Sequence, residues 1–115
     1  MTSVLFTGIL FPSYAQSGRG IRIREVPLDR IAECITSRAT LVAVSAVQSA
    51  DGRVADLDAR HAASRATGAR VLLATTEAVG WLPVNASRFA CTACGGYKWL
   101  LSPGGAPPAS PSIAR

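Results

Sequence analysis

Apolar and polar positions alternate along Ile21-Arg22-Ile23-Arg24-Glu25-Val26, the period-two pattern of a half-buried strand, and Pro27 ends it. Leu28, Ile31, Ala32 and Ile35 then recur at i, i+3, i+4 and i+7, which lines them along one face of a helix. The run Leu41-Val42-Ala43-Val44-Ser45-Ala46-Val47 is almost continuously apolar and predicts a strand covered on both faces. Asp51-Gly52 turns the chain. A helix is expected from about Val54 to Thr67. Asp56 and Asp58 in its first turns suit the helix dipole, Leu57 and the alanines allow close packing on a sheet, and Gly68 suits the position just past its end. Val71-Leu72-Leu73-Ala74 is the next buried strand. This β-α-β-α-β succession predicts a parallel α/β sheet with right-handed crossovers.

In open α/β sheets, ligands bind beyond the carboxyl ends of the strands. Ser49 follows one expected strand end, Ala74 to Glu77 lie at a second, and Lys98 follows a third, so the topology brings three segments to one edge. Lys98 is the single lysine in a chain with eleven arginines. It sits in Gly95-Gly96-Tyr97-Lys98-Trp99-Leu100-Leu101. An amine buried against Trp99 and Leu100 would serve as a Schiff-base nucleophile, and the glycines before it permit close approach of backbone or cofactor. On spacing alone, a lysine snorkelling from a buried turn has equal weight, because a lone lysine is no motif.

The formal net charge is +5, which invites a nucleic-acid or anionic-surface reading. The arginines are dispersed, at positions such as Arg19, Arg38, Arg60 and Arg88, with no aromatic residues alternating among them, so solvated faces explain them and no nucleic-acid partner is expected. Three cysteines, Cys34, Cys91 and Cys94, give no disulfide framework and fit a reducing cytoplasm. Cys91-Thr92-Ala93-Cys94 is formally a CxxC, but residues three apart on a strand point to opposite faces, and a zinc site would need a second ligand pair. Small buried residues on a strand leading to Lys98 are the preferred reading, and no metal is expected. His61 is expected to be a partly exposed helix residue. The run Val4 to Phe11 lacks a preceding positive charge and is too short to span a bilayer, so no membrane role is expected.

Thr75-Thr76-Glu77-Ala78-Val79-Gly80-Trp81-Leu82-Pro83-Val84, followed by Gly96-Tyr97-Lys98-Trp99-Leu100-Leu101, resembles the class V aminotransferase and cysteine desulfurase family, which uses pyridoxal phosphate (PLP). The second segment is similar to the isopenicillin N epimerase-like branch. The likeness runs from about Ser3 to Pro103 in family order. It implies a partial three-layer α/β/α fold with a mostly parallel sheet, a fragment of the fold type I PLP-transferase large domain over residues 1–103, with residues 4–11 in a helix beneath the sheet. Family members are several times longer, so the chain reads as a central slice. An upstream phosphate-binding turn and a downstream small domain would lie outside it.

The resemblance makes Lys98 the Schiff-base lysine and proton shuttle, with Ser49, Thr76, Glu77 and Tyr97 at the cofactor. It implies an amino-acid-type small-molecule substrate and, as family enzymes are commonly homodimers, a homo-oligomer. The family places an aspartate against the pyridine nitrogen at the position of Ala74, which carries no charge. Glu77 stands where a glutamine usually meets the cofactor's phenolic oxygen, and its distance in sequence from Ala74 predicts that it faces elsewhere. Gly95 stands where some relatives hold phosphate through a hydroxyl, and Trp81 is read as a packing residue. After Ser102-Pro103 the family continues into an apolar strand. Here Gly104 to Arg115 contains three prolines and predicts a disordered tail, which a reading-frame change near Pro103 would explain. The expected function is therefore that of a truncated, inactive PLP-dependent class V-type fragment. The alternative is a small basic binding module without catalytic activity.

Overall fold

A computed structural model describes residues 7–103, with side chains from residue 11 onward. The expected tail at 104–115 and the beginning of the expected N-terminal helix lie outside those residues. Three strands form one parallel sheet in the order β1-β2-β3: Leu41–Ser45, Arg70–Ala74 and Cys91–Ala93. The helices are α1 (Thr7–Ala15), α2 (Ile31–Cys34) and α3 (Leu57–Thr67). The parallel α/β reading is correct. The register matters most at the strand ends, where Ser45 pairs with Ala74 and Ala74 with Ala93. These three residues form one row, so the segments that leave the three strands emerge at the same sheet edge.

Val44, Val71 and Leu73 are the largest fully buried side chains. Leu28, Ile31 and Ile35 join them in the core, as their helical spacing predicts, although the regular α-helix there is only the four residues of α2, preceded by a 3-10 turn at Leu28–Arg30. The expectation that β1 is covered on both faces fails at its start: Leu41 is 56% exposed, and only Val44 and Ser45 are buried. In β2, Leu72 is half-buried between the buried Val71 and Leu73, while Ala74 on the same face as Leu72 is buried.

The helix after Gly52 begins at Leu57 rather than near Val54. Val54 instead forms an antiparallel bridge with Val47, and the turn between them closes through Gln48 N–H to Arg53 O at 2.9 Å and Gly52 N–H to Gln48 O at 2.9 Å. Gly52 has a φ of 73°, a left-handed conformation that disfavours a side chain. Asp56 then caps α3, its carboxylate accepting from Ala59 N–H at 2.9 Å. At the other end Gly68 takes a φ of 77° and its N–H reaches Ser64 O at 2.8 Å, the left-handed termination expected of it.

A further expectation is corrected. Ile21–Val26 is not a strand: residues 21–27 carry no regular structure, Ile21 is 51% exposed, and no described strand pairs with the segment. Alternation supplies a half-buried face, but a strand also needs a neighbour for its backbone bonds. Of the helix expected over residues 4–11, the described part begins at Thr7 in α1; Phe11 and Tyr14 on it are exposed, and it contacts the 3-10 turn Ser17–Arg19.

Arg60 departs from the reading of arginines as solvated. It is 3% exposed. Its guanidinium donates from Nη1 to Asp56 O at 2.6 Å and from Nη2 to Leu28 O, tying α3 to the 3-10 turn that leads into α2. Burial lowers its pKa from the ordinary arginine value, partly offset by the Asp56 carboxylate.

Candidate functional site

Beyond the row Ser45–Ala74–Ala93, backbone bonds lock the three emerging segments together. Ala46 N–H donates to Ala74 O at 2.8 Å and Thr75 N–H to Ala93 O at 2.9 Å. Residues 75–82 then coil into turns, with Ala78 and Val79 N–H both reaching Thr75 O and Leu82 N–H reaching Ala78 O. Thr75 and Thr76 are buried. The Thr76 hydroxyl accepts from Gly95 N–H at 2.9 Å, which fastens the turn after β2 to the loop that carries Lys98. Trp81 Nε1 donates to Glu77 O at 2.7 Å, and its ring meets Trp99 edge-on with centroids 6.1 Å apart. Trp81 is thus a packing residue, although 47% exposed.

The expected convergence on one edge is present in the geometry. A cavity of about 10 Å³ is lined by Ser45, Val47, Ser49, Ala74, Thr76 and Glu77, room for about one water molecule. Lys98 Nζ lies 3.1 Å from Glu77 Oε1 and 5.8 Å from the centroid of the Tyr97 ring. Glu77 therefore does not face elsewhere. It shares the cavity wall with Ala74 and ion-pairs with the lysine. Its Oε1 is buried and has no directed hydrogen bond, so the contact with Lys98 is an ionic approach rather than a well-aligned bond.

The expected burial of Lys98 does not occur. Its side chain is 41% exposed, and Trp99 and Leu100 are 58% and 47% exposed, because Trp99 turns to Trp81 instead of covering the amine. The glycines serve the loop itself. A Cβ on Gly95 would stand 2.6 Å from the Tyr97 ring, and one on Gly96 would stand 2.9 Å from Ser102 Oγ. The loop closes through Ser102 N–H to Gly96 O at 2.8 Å and Leu101 N–H to Lys98 O at 3.1 Å. Leu101 there has a φ of 56°, a costly conformation for a bulky residue.

Ser45, Val47 and the ion pair were missed by sequence reasoning, as was Gln48, which is buried at the same strand end with an unpartnered Nε2. A polar residue closing an apolar run was the available signal for Gln48. Cys34, Cys91 and Cys94 are free thiols. Among the described residues no cluster of His, Cys, Asp or Glu could hold a metal ion, and no helix is long and apolar enough to cross a membrane. His61 is half-buried, donating from Nδ1 to Arg88 O at 2.9 Å and lying edge-on to Phe89, a structural role.

A parallel sheet with a lysine, a carboxylate and two hydroxyl residues gathered beyond its strand ends defines the class: an α/β protein with a strand-end site. The sequence profile described as Aminotransferase class-V matches residues 19–106, and the chain belongs to that family. Among solved structures, the fold is similar to that of pyridoxamine-pyruvate aminotransferase from Mesorhizobium loti. The two share 17% identity at a TM-score of 0.53, over 62% of this chain and 19% of that one. The chain thus spans about a fifth of that structure's length. No match is found among curated proteins.

The family implies PLP, and the residues present fit it at one end. An accessible primary amine at Lys98 suits the aldehyde, and Glu77, 3.1 Å from that amine, lines the adjoining cavity together with Ser49 and Thr76. Ala74, 5% exposed, lines that cavity with a methyl group and brings no charge to it.

Proposed function

We propose that this chain is the lysine-bearing part of a PLP-dependent class V-type large domain, able to capture the cofactor aldehyde through Lys98 and catalytically silent by itself. The observation that carries this reading is the position of its only lysine, beyond the ends of β2 and β3 and 3.1 Å from Glu77 Oε1. Lys98 would hold the aldehyde, Ser49 and Thr76 would offer hydroxyls at the cavity, and Tyr97 would border the amine. When bound, PLP supplies an electron sink for a carbanion on an amino-acid-type substrate. Ala74 supplies no charge to sustain that sink, and loss of one preorganised charge contact typically costs ~10²–10³-fold in rate. Glu77 is committed to Lys98, so it does not stand in for the missing acid.

The span of about a fifth of the structural relative supports a site completed elsewhere, in a homo-oligomer or in further sequence. Gly96-Tyr97-Lys98-Trp99-Leu100-Leu101 supports the isopenicillin N epimerase-like branch over the desulfurases, and three free thiols support a cytoplasmic setting. The alternative, a basic binding module, draws on the net charge. It gains nothing from Arg30, Arg53 and Arg88, which are ion-paired, or from the buried Arg60.

The test is mass spectrometry after incubation with PLP and borohydride. With one lysine in the chain, any side-chain pyridoxyl adduct is on Lys98. An adduct competed by an aldehyde-capturing amine and lost on unfolding, with no turnover of amino acids, is expected. No adduct, or one indifferent to denaturation, overturns the reading.

A further inference from the structure

A lysine amine ordinarily carries its extra proton at neutral pH, and an ammonium has no lone pair with which to attack carbon. Before Lys98 can capture an aldehyde, a proton must leave Nζ. Glu77 Oε1 lies 3.1 Å from that nitrogen, within reach of direct proton transfer. The oxygen is buried and makes no hydrogen bond, so no other donor competes for its lone pairs. Tyr97, whose ring centroid is 5.8 Å from Nζ, favours the cation and takes no proton from it.

Both groups are positioned by the backbone around them. Trp81 Nε1 donates to Glu77 O at 2.7 Å, which pins the turn that bears the carboxylate. Gly95 N–H donates to the Thr76 hydroxyl at 2.9 Å, one residue before Glu77 and three before Lys98. The turn and the lysine loop are therefore fastened to each other close to the pair. On its other side Glu77 lines the cavity of about 10 Å³ with Ser45, Ser49 and Thr76, which has room for about one water molecule. Condensation of an amine with an aldehyde releases one water.

We propose that Glu77 is the proton acceptor and donor for aldehyde capture by Lys98. This rests on the reading of Lys98 as the capturing amine. As Nζ bonds to the carbonyl carbon, one ammonium proton passes to Glu77 Oε1 and the carbonyl electron pair moves to oxygen. A second Nζ proton neutralises that oxygen. Glu77 then returns its proton to the hydroxyl, the C–O bond breaks, and water leaves a protonated C=N bond. A carboxylate that merely restrains the amine would act oppositely, and its removal would speed capture.

The test follows modification of Lys98 by peptide mass spectrometry, with acetaldehyde and separately with PLP. Cyanoborohydride supplies the hydride that reduces the C=N bond, at concentrations where the rate no longer depends on it. Nα-acetyllysine in the same solution is the reference amine, and far-UV circular dichroism checks folding. Glu77→Gln is expected to slow Lys98 modification by acetaldehyde about 100-fold, the low end for one positioned acid–base group, because water also reaches the lysine. Glu77→Ala is expected to be equally slow and to recover as sodium formate, but not sodium chloride, is added. Equal or faster modification of Glu77→Gln overturns the proposal, as does a Glu77→Ala rate indifferent to formate. Adducts of PLP that form equally fast in parent and variants overturn it while leaving the cofactor reading in place. Acetaldehyde capture that depends on Glu77, without any PLP adduct, sustains the proposal and removes the cofactor reading. A parent Lys98 that acetaldehyde leaves unmodified overturns both.

Discussion

Substituting Lys98→Met and Glu77→Gln, singly and together, separates what the ion pair contributes from what each group costs alone. At the 3.1 Å separation of Nζ and Oε1, Coulomb's law gives about 5 kcal/mol at an effective dielectric of about 20, and about 1.3 kcal/mol in bulk water. The lysine is 41% exposed and the glutamate 17%, so solvent screening pulls the net coupling to the lower end, about 1 kcal/mol. The two single losses are unequal. Glu77 Oε1 is buried with no hydrogen-bond partner, so Lys98→Met strands a carboxylate oxygen and costs about 1.5–3 kcal/mol. Glu77→Gln leaves an ammonium that water reaches, and costs about 0.5 kcal/mol. Urea unfolding of the four proteins, followed by far-UV circular dichroism, closes the double-mutant cycle. Equal losses, a larger loss for Glu77→Gln, or a coupling of zero would refute the assignment of Lys98 as the counter-charge of Glu77.

Two further predictions concern groups outside the site. Arg60→Met keeps the buried stem but leaves Leu28 O and Asp56 O without their guanidinium donors; with the unpartnered Nε removed as well, the net loss is about 1–2 kcal/mol, a fall in Tm of roughly 5–15 °C by calorimetry. Asp51 accepts from Arg53 N–H at 3.0 Å and from Arg53 Nε at 2.7 Å, and these bonds, the backbone one first, hold its carboxyl below the ordinary value of 3.8. Because the folded value is depressed, any stability from Asp51 is present above the unfolded value and is lost as pH falls through the folded one. A carboxyl-carbon NMR titration should show Arg53→Gln returning Asp51 only partway, since the backbone bond survives.

The central sheet was legible where one short-range signal settled the matter. Val71 to Ala74 is a compact apolar run bounded by turn residues, and Gly68 marks the end of α3 by a backbone preference that needs no tertiary context. Ile21–Val26 misled because alternation reports a face and is silent about a neighbouring strand. The start of α3 differs from the expected one because Val54 is taken up by its bridge to Val47, which delays the helix to its cap at Asp56. Arg60 was unreadable, since its partners include a carbonyl 32 residues away. In the site, Lys98 and the sheet edge could be found from sequence, whereas the turn of Glu77 toward the lysine depends on coiling after β2 that brings together residues 21 positions apart.

The loop carrying the lysine is closed by its own backbone, from Gly96 O to Ser102 N–H, and shaped by two glycines whose neighbours are Tyr97 and Ser102. Apart from the bond of Gly95 N–H to Thr76, its form is thus written within eight consecutive residues, Gly95 to Ser102. The strand end at Ala74 is written elsewhere, in the register with Ser45 and Ala93. Substitution can therefore act on the two independently: the side chain at position 74 can change in size or charge without bending the loop, so the shape of the lysine loop carries no information about what stands at the strand end.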